Sequence, residues 1–544
     1  MAYALVAGLP ISYGIYSGIV ASLIGLFFCR GVYITFGPSN ATAVMLLSSF
    51  AATGLVTESA RMAALPALLL AIGLIMMCIS LFKLAFLISY ISRTVIIAHV
   101  TSSALLIFAN QMRNLLGFEY TAGYDDPVTL VDTINATVHC IGESEPSSIA
   151  MAIVTLIVFL PLKKFAKRLP AEGLTLIIVG AICYVGCEFF GLEVERLSAV
   201  SASEWNISMP DFNAISLRET ATCALAIALL GIIEAFSIGK SLASQRADRL
   251  DTNQEVLALG AANVACALTS STMSSGSMTR STLAVNSGVR TTVFNLFTAI
   301  FTLVILLLFG NAIAYVPKST LALIVVYTSV TLIKPRVIKL AMKSTFSDAI
   351  VFVTTFCVGV FSTLDAAIYT GIIVSILLFL KKAAKPEVVE YAIGDHGELL
   401  PSHSPKPDPN AQLSIVHVEG NMFFGASDVL QNQLRRIAAE PNLKVLILKL
   451  RNAINFDATS VMDLEELSRR MRSSNRLLLL CEVREDIMRI LKSSGACNTI
   501  GMENIFVNYD DNPTISAAKA IKYAKEKLDG EIPTLSIYAT KEKK

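Results

Sequence analysis

The chain has 544 residues, of which 54% are hydrophobic and only 16% charged, with a formal net charge of +2. A soluble domain carries about 25% charged residues, so an ordinary cytosolic enzyme is excluded. The net charge of +2 says nothing about nucleic acid, and with no basic face or aromatic platform standing out, no nucleic-acid partner is expected. The shortfall in charge is uneven: residues 1 to 383 hold run after run of apolar segments, and the rest reads as soluble protein.

In chain order, the first stretch, Met1-Ala2-Tyr3-Ala4-Leu5-Val6-Ala7-Gly8, has no basic region before it and does not read as a signal peptide. It reads as the last part of a span. Further candidate spans are predicted over 12–29, 36–52, 64–82, 84–110, 148–162, 173–190, 219–240, 255–268, 276–287, 292–314, 319–333, 347–362 and 365–380, most near bilayer length and that at 276–287 too short to span alone. Together with the partial first segment they make about fourteen. The 84–110 region is long enough to hold an interfacial piece.

The Lys/Arg asymmetry of the loops sets the expected orientation. One set carries Arg30, Lys83, Arg93, Lys163, Lys164, Lys167, Arg168, Lys240, Arg246, Arg249, Arg290, Lys334, Arg336, Lys339, Lys343, Lys381 and Lys382. The other has only Arg61, Arg113, Arg196, Arg218 and Lys318, and an acidic loop that includes Asp125 and Asp126. The basic side is expected to be cytoplasmic, and the C-terminal part with it. The chain then reads as a transport domain over 1–383, a proline-rich linker over 384–410 and a soluble domain over 411–544. The soluble part alternates strands and helices: strands at 413–418, 445–450, 476–481 and 505–509, helices at 428–440, 460–473, 485–493 and 514–527. That order implies a small mixed sheet with helices packed on it.

Two membrane segments begin with glycine and hydroxyl residues. One is Phe36-Gly37-Pro38-Ser39-Asn40-Ala41-Thr42; the other is Gly276-Ser277-Met278-Thr279-Arg280-Ser281-Thr282. Pro38 suits a first helical turn, and Ser39 or Asn40 could cap it. A helix starting inside the membrane leaves free N–H groups there, at the positive end of its dipole, where anions bind. Paired interrupted spans in the two halves of a transporter mark a midplane site. The bland alternative for either segment is that small residues let helices pack closely. Arg280 is a charge at membrane depth, which is costly unless it faces a cavity or a partner. Glu234, in a span, is its expected partner, either as a proton-coupling pair or as a static tie between helices. Ten cysteines without a CxxC pair, and the lone His99, are read as packing residues. Nothing in the pattern calls for a cofactor, a metal or an enzyme's nucleophile and base.

These residues resemble the SulP family of anion transporters. The likeness rests on Ala2-Tyr3-Ala4, Ala7-Gly8-Leu9-Pro10, Tyr13-Gly14-Ile15-Tyr16, Gly37-Pro38-Ser39-Asn40-Ala41-Thr42, Thr279-Arg280-Ser281, Ala314-Tyr315-Val316-Pro317-Lys318 and Ala366-Ala367-Ile368-Tyr369-Thr370-Gly371. The tail is similar to a STAS domain in Val418-Glu419-Gly420-Asn421-Met422, Phe456-Asp457-Ala458-Thr459-Ser460 and Gly501-Met502-Glu503-Asn504-Ile505-Phe506. The resemblance implies a polytopic α-helical membrane protein with a 7+7 inverted-repeat, uracil-permease-like fold. It implies core and gate domains, an elevator-like movement, often a homodimer, and a small α/β STAS domain that could take a cytoplasmic partner. It places the anion between the third and tenth spans and associates Glu234 with proton coupling. Family members also carry the first half of span one, so a chain begun at Met1 is expected to insert poorly.

The expected function is secondary transport of a small inorganic anion across the plasma or inner membrane, sulfate by proton symport. Ser39, Asn40, Ala41, Thr42, Ser277, Met278, Thr279 and Arg280 are the candidate substrate-binding residues, with Glu234 taking the proton. The alternatives are a bicarbonate, chloride or dicarboxylate carrier, an anion exchanger, a nucleobase permease of the same fold, or an anion sensor signalling through the STAS domain. Thr459, two residues after Asp457, is a candidate regulatory phosphosite; the alternative is that both residues cap a helix.

Overall fold

The computed structural model describes residues 1–544 except 56, 87–90, 121–126, 166–169, 192, 208, 212–215, 384–386, 394–398, 402–411, 423, 439–440, 509–513, 529–534 and 541–544. Asp125, Asp126, Lys167 and Arg168 of the loop-charge pattern, and most of the proline-rich linker, therefore lie outside the described residues. The chain forms two compact units, Met1–Ser375 and Ile376–Lys544.

The first half of the helical unit contains α1 (Ala2–Val6), α2 (Ile11–Phe28), the two-residue strand β1 (Phe36–Gly37), α3 (Asn40–Ala52) and α4 (Glu58–Leu81). It continues with α5 (Arg93–Leu116), α6 (Leu130–Cys140), α7 (Pro146–Phe165) and α8 (Ala171–Phe190). The second half contains α9 (Leu217–Gln245), α10 (Thr252–Ala267), the strand β2 (Ser275–Gly276), α11 (Met278–Asn286) and α12 (Phe294–Phe309). It ends with α13 (Lys318–Leu332), α14 (Pro335–Ser344), α15 (Phe346–Phe361) and α16 (Leu364–Ala383). Nine of the described helices are long and apolar enough to cross a membrane.

The two halves correspond element by element. Each has a short, strand-preceded helix third (α3, α11). Each also has a short extra helix after its fifth span (α6, α14). These two extra helices fall in segments expected to be loops. At 11 and 10 residues they are too short to span. Thr129 and Asp132 form a capping box that starts α6, and Pro335 occupies the first turn of α14. Val337, Ile338 and Ala341 turn inward on α14 while Arg336, Lys339 and Lys343 stay exposed, the pattern of an amphipathic rather than a spanning helix.

Packing divides the helices into two groups. In one, α10 lies along both α4 and α2, α4 contacts α9, and α2 contacts α12; in the other, α5 lies along α13 and α15. Helices α4 and α10 approach one another closely. An added Cβ on Gly73 would sit 2.8 Å from the Gly260 carbonyl oxygen, and one on Gly260 would sit 2.9 Å from that of Gly73. Only glycine lets two backbones come this close. The apolar core fills this region with Met45, Leu46, Phe50, Leu68, Leu69, Ile72 and Met76, all fully buried.

The second unit is a seven-stranded sheet in the order β4-β3-β9-β5-β6-β7-β8. Its elements are β3 (Glu387–Ile393), β4 (Leu399–Pro401), β5 (Leu413–Asn421), α17 (Phe424–Ala438), β6 (Val445–Ile454) and α18 (Ala458–Ser473). They continue with β7 (Leu477–Val483), α19 (Glu485–Ser494), α20 (Ala496–Ile500), β8 (Ile505–Val507), α21 (Thr514–Lys527) and β9 (Leu535–Thr540). Strands β9, β5, β6, β7 and β8 run parallel, and β3 joins antiparallel to β4, β5 and β9. Part of the expected linker is thus strand. Val388, Val389, Tyr391 and Ile393 supply enough β-forming side chains to extend the sheet despite the prolines around them.

Candidate functional site

The two interrupted segments meet. β1 and β2 pair antiparallel, with Phe36 opposite Gly276 and Gly37 opposite Ser275. Because the strands run in opposite directions, α3 and α11 leave the crossing in opposite directions. Both N-termini therefore sit at the crossing. Flanking contacts fix the register: the Thr35 N–H donates to Ser281 Oγ at 2.9 Å, and the Ser277 N–H donates to the Thr35 carbonyl at 3.3 Å. Behind β2, Asn263 of α10 clamps Ser274 from both sides. Its Oδ1 accepts from the Ser274 N–H at 2.9 Å, and its Nδ2 donates to the Ser274 carbonyl at 3.0 Å.

Each helix start is capped by a serine. Ser39 Oγ accepts from the Thr42 N–H at 3.4 Å, and Ser277 Oγ accepts from the Arg280 N–H at 3.5 Å. The third N–H of each helix is thereby used. The Arg280 backbone N–H is thus engaged in the cap, which leaves its side chain as the candidate contact to an anion. The first two positions, Asn40 and Ala41 on α3 and Met278 and Thr279 on α11, have no intrahelical acceptor for their N–H groups. Met278 and Thr279 are exposed, Asn40 and Ala41 half-buried, and Ser39, Thr42 and Ser277 buried. Asn40 Oδ1 is buried without a hydrogen-bond partner, as is Arg280 Nε.

Arg280 does not form the ion pair expected of it. Its Nη1 and Nη2 both donate to the Pro38 carbonyl oxygen, each at 3.1 Å. Gly37 explains the preference. Its φ is +143°, and an added Cβ would lie 2.9 Å from Nη2 and 3.3 Å from Cζ. The guanidinium therefore lies against bare backbone, and the nearest strong acceptor is the carbonyl that follows. Glu234, on α9, is held by hydroxyls instead. Its Oε2 accepts from Ser39 Oγ at 2.8 Å and from Ser275 Oγ at 2.9 Å. Arg280 remains within electrostatic reach of Glu234, and Tyr3 of α1 faces both.

Sequence reasoning located both helix starts, Arg280 and Glu234. It missed Ser275, which ties Glu234 to β2, and Asn263, which holds that strand. Ser275 sits in a hydroxyl-rich stretch interrupted by Met273 and Gly276, where nothing distinguishes it from Ser274 or Ser271. His99 is fully buried on α5, with Ser103 Oγ 3.3 Å from its Nε2. In the second unit Asp457 caps α18. Its Oδ1 accepts from the Ser460 N–H at 2.9 Å and its Oδ2 from the Phe424 N–H at 2.8 Å. Thr459 is half-buried in the first turn behind it.

The arrangement offers four N–H groups, a guanidinium and a nearby carboxylate around one crossing. Comparison with known proteins identifies the family of the chain. The profile of the Sulfate permease family matches residues 1–355, and that of the STAS domain matches residues 406–512. The putative sulfate transporter YvdB of Bacillus subtilis is 22% identical over 94% of this chain and 93% of its own length. The high affinity sulfate transporter 2 of Stylosanthes hamata is 24% identical over 94% and 80%. Murine Slc26a9, an anion transporter solved in an inward-facing state, shares the fold at a TM-score of 0.83 and 17% identity, covering 97% of this chain and 88% of that one. The transmembrane domain of the cyanobacterial bicarbonate transporter BicA aligns at 0.59 and 18% identity over 69% of this chain and 92% of its own. A 7+7 helical unit with two strand-preceded helix starts, followed by a STAS domain, makes this chain a multi-pass membrane protein that belongs to the sulfate permease family.

Proposed function

We propose that the protein carries sulfate across the membrane together with a proton. The antiparallel meeting of β1 and β2 carries this reading, because it brings two helix N-termini, Arg280 and Glu234 to one place. Sulfate would be held by the N–H groups of Asn40, Ala41, Met278 and Thr279, with Ser39, Thr42 and Ser277 shaping the two helix starts. The Arg280 side chain would supply the positive charge, and Glu234 would take the proton. Preorganised N–H donors at helix starts bind oxyanions without special side chains, which suits a substrate carrying two negative charges. The separation of the α2, α4, α9, α10 and α12 group from the α5, α13 and α15 group supports an elevator-like movement of the first against the second. The basic loops support a cytoplasmic location for the STAS domain.

The test is uptake of radiolabelled sulfate, bicarbonate and chloride into proteoliposomes, with and without an inward proton gradient. Sulfate uptake should rise with the gradient. Glu234→Gln should keep binding but lose the response to the gradient, and Arg280→Ala should abolish binding. Undiminished gradient-driven uptake by the Glu234→Gln protein would remove the proton role. Uptake of bicarbonate in place of sulfate would overturn the substrate assignment.

A further inference from the structure

We propose that Ser39 is a positioning residue that couples protonation of Glu234 to anion binding at the start of α3. The proposal rests on the reading of Glu234 as the proton acceptor and adds the path by which the anion site senses that proton. Two hydroxyls converge on one carboxylate oxygen, Oε2: Ser39 at 2.8 Å and Ser275 at 2.9 Å. An ionised carboxylate only accepts hydrogen bonds, so both hydroxyl hydrogens point at it. Neither is then available to a ligand. A proton on Oε1 would leave both bonds as they are; the coupling requires it on Oε2, which then becomes a donor and needs an acceptor. The hydroxyl oxygens are the acceptors in reach, so one serine must turn its own hydrogen elsewhere.

The surroundings of the two serines differ. Ser275 has a second acceptor within its own packing, the Gly231 carbonyl at 3.4 Å, and turning to it changes nothing at the helix starts. Ser39 is the N-cap of α3, beside the open N–H groups of Asn40 and Ala41. Its other neighbour is Thr42 Oγ1 at 2.9 Å, whose hydroxyl can donate to the Ser39 carbonyl at 3.3 Å. A released Ser39 hydrogen therefore rests on Thr42 when the site is empty. When an anion is present it joins the Asn40 and Ala41 N–H groups as a third donor, because a charged acceptor makes the stronger bond. No covalent bond other than that to the transferred proton changes. The other charged or titratable groups facing Glu234 are Arg280 of α11 and Tyr3 of α1, with the Met1 amino group acting on Arg280. Arginine stays charged in proteins, and an ordinary phenol titrates near pH 10. An α-amino group ordinarily titrates at about pH 8, close to the same window, so loss of the response in Glu234→Gln is what assigns it to Glu234.

The experiment measures radiolabelled sulfate binding to the purified full-length protein at pH 5.5 and 7.5, and proton uptake on adding sulfate in weak buffer. Sulfate should bind more tightly at pH 5.5, by about 5-fold or more if the coupling is of usual size, and by at most about 100-fold, the limit for one proton over two pH units. By the reciprocity of linkage, sulfate should also draw protons onto the protein. Ser39→Gly keeps a competent N-cap but has no hydroxyl. It should still bind sulfate, with the pH gain reduced to under about threefold and proton uptake per bound sulfate reduced in step. Ser39→Thr should restore both, and Ser275→Ala should leave the gain in place. A Ser39→Gly protein with the wild-type pH gain would overturn the proposal, as would loss of the gain in Ser275→Ala alone or failure of Ser39→Thr to restore it. Glu234→Gln separates the two levels. If that variant keeps the pH dependence, Glu234 is not the proton acceptor and the underlying reading fails. If it loses the dependence while Ser39→Gly keeps it, the Ser39 path alone fails.

Discussion

Replacing Gly37 with alanine tests whether the seat of Arg280 is built by the missing side chain. The new Cβ would lie 2.9 Å from Nη2, whereas carbon and nitrogen not bonded to each other settle at roughly 3.5 Å. The guanidinium must therefore retreat by roughly half an ångström, which stretches its two 3.1 Å bonds to the Pro38 carbonyl to about the limit for a hydrogen bond. A hydrogen bond from a charged donor contributes about 1.5–3 kcal/mol. Losing about 2 kcal/mol of positioning should weaken sulfate binding roughly 30-fold. The positive φ adds strain of about 1–3 kcal/mol, and that part should appear as a lower unfolding temperature instead. Sulfate affinity and thermal unfolding, measured on the same detergent-solubilised sample, separate the two effects. Gly18→Ala, whose Cβ would meet open space, should change neither. Gly73→Ala, which would collide with α10, should lower stability and leave affinity alone. In an Arg280→Lys background there is no planar fork to displace, so Gly37→Ala should cost no more than about threefold. A folded Gly37→Ala protein with affinity within about threefold of wild type would show that the contact does not seat Arg280.

Two further predictions concern the C-terminal unit. Burial, with the Lys449 charge beside it, pulls His417 down to about 4, below its ordinary value of about 6.5. Between these values the unfolded chain binds a proton that the folded one does not. Stability is therefore full above about pH 6.5 and falls as pH drops toward about 4. Denaturant midpoints read by far-UV circular dichroism should show this loss, and His417→Gln should flatten it; equal wild-type midpoints at pH 6.5 and 4.5 would contradict the assignment. For Asp457, burial raises its pKa, but hydrogen bonds from the Ser460 N–H and hydroxyl and from the Phe424 N–H outweigh it and hold the carboxyl below the usual range. Its stabilisation is present at neutral pH and lost as pH falls below about 4. Asp457→Ala should cost about 1 kcal/mol at pH 7, and Asp457→Asn, also a good cap, less.

The spans were legible because a bilayer-length apolar run has few other uses, and the STAS pattern because strands and helices alternate with different periods. The short helices α6 and α14 were not, since about ten amphipathic residues look like a loop to any test of spanning length. The two helix starts could be read from Gly37, Pro38, Ser39 and the Ser277 run, whose residue types suit the place where a helix begins. What each charge touches could not. Arg280 binds a backbone carbonyl, and a carbonyl has no letter in the sequence. Its choice depends on the φ of Gly37, which is set by pairing with Ser275, 238 positions away (275 − 37).

That dependence bears on how the site works. The strands, caps and clamps are shared between the halves: Thr35 bonds Ser281, Gly37 pairs with Ser275 and carries Arg280, and Glu234 joins Ser39 to Ser275. No helix start is held by its own half alone. On the proposed reading a change at Glu234 reaches the start of α3 through Ser39, while Ser275 can turn to the Gly231 carbonyl. A direct Glu234–Arg280 ion pair would link only two side chains and would leave the backbone N–H groups unaffected by the proton. Two hydroxyls on one carboxylate oxygen, one of them a helix cap, instead join the protonation state to the geometry of the donors. On the proposed reading, coupling depends on where the Ser39 hydrogen points.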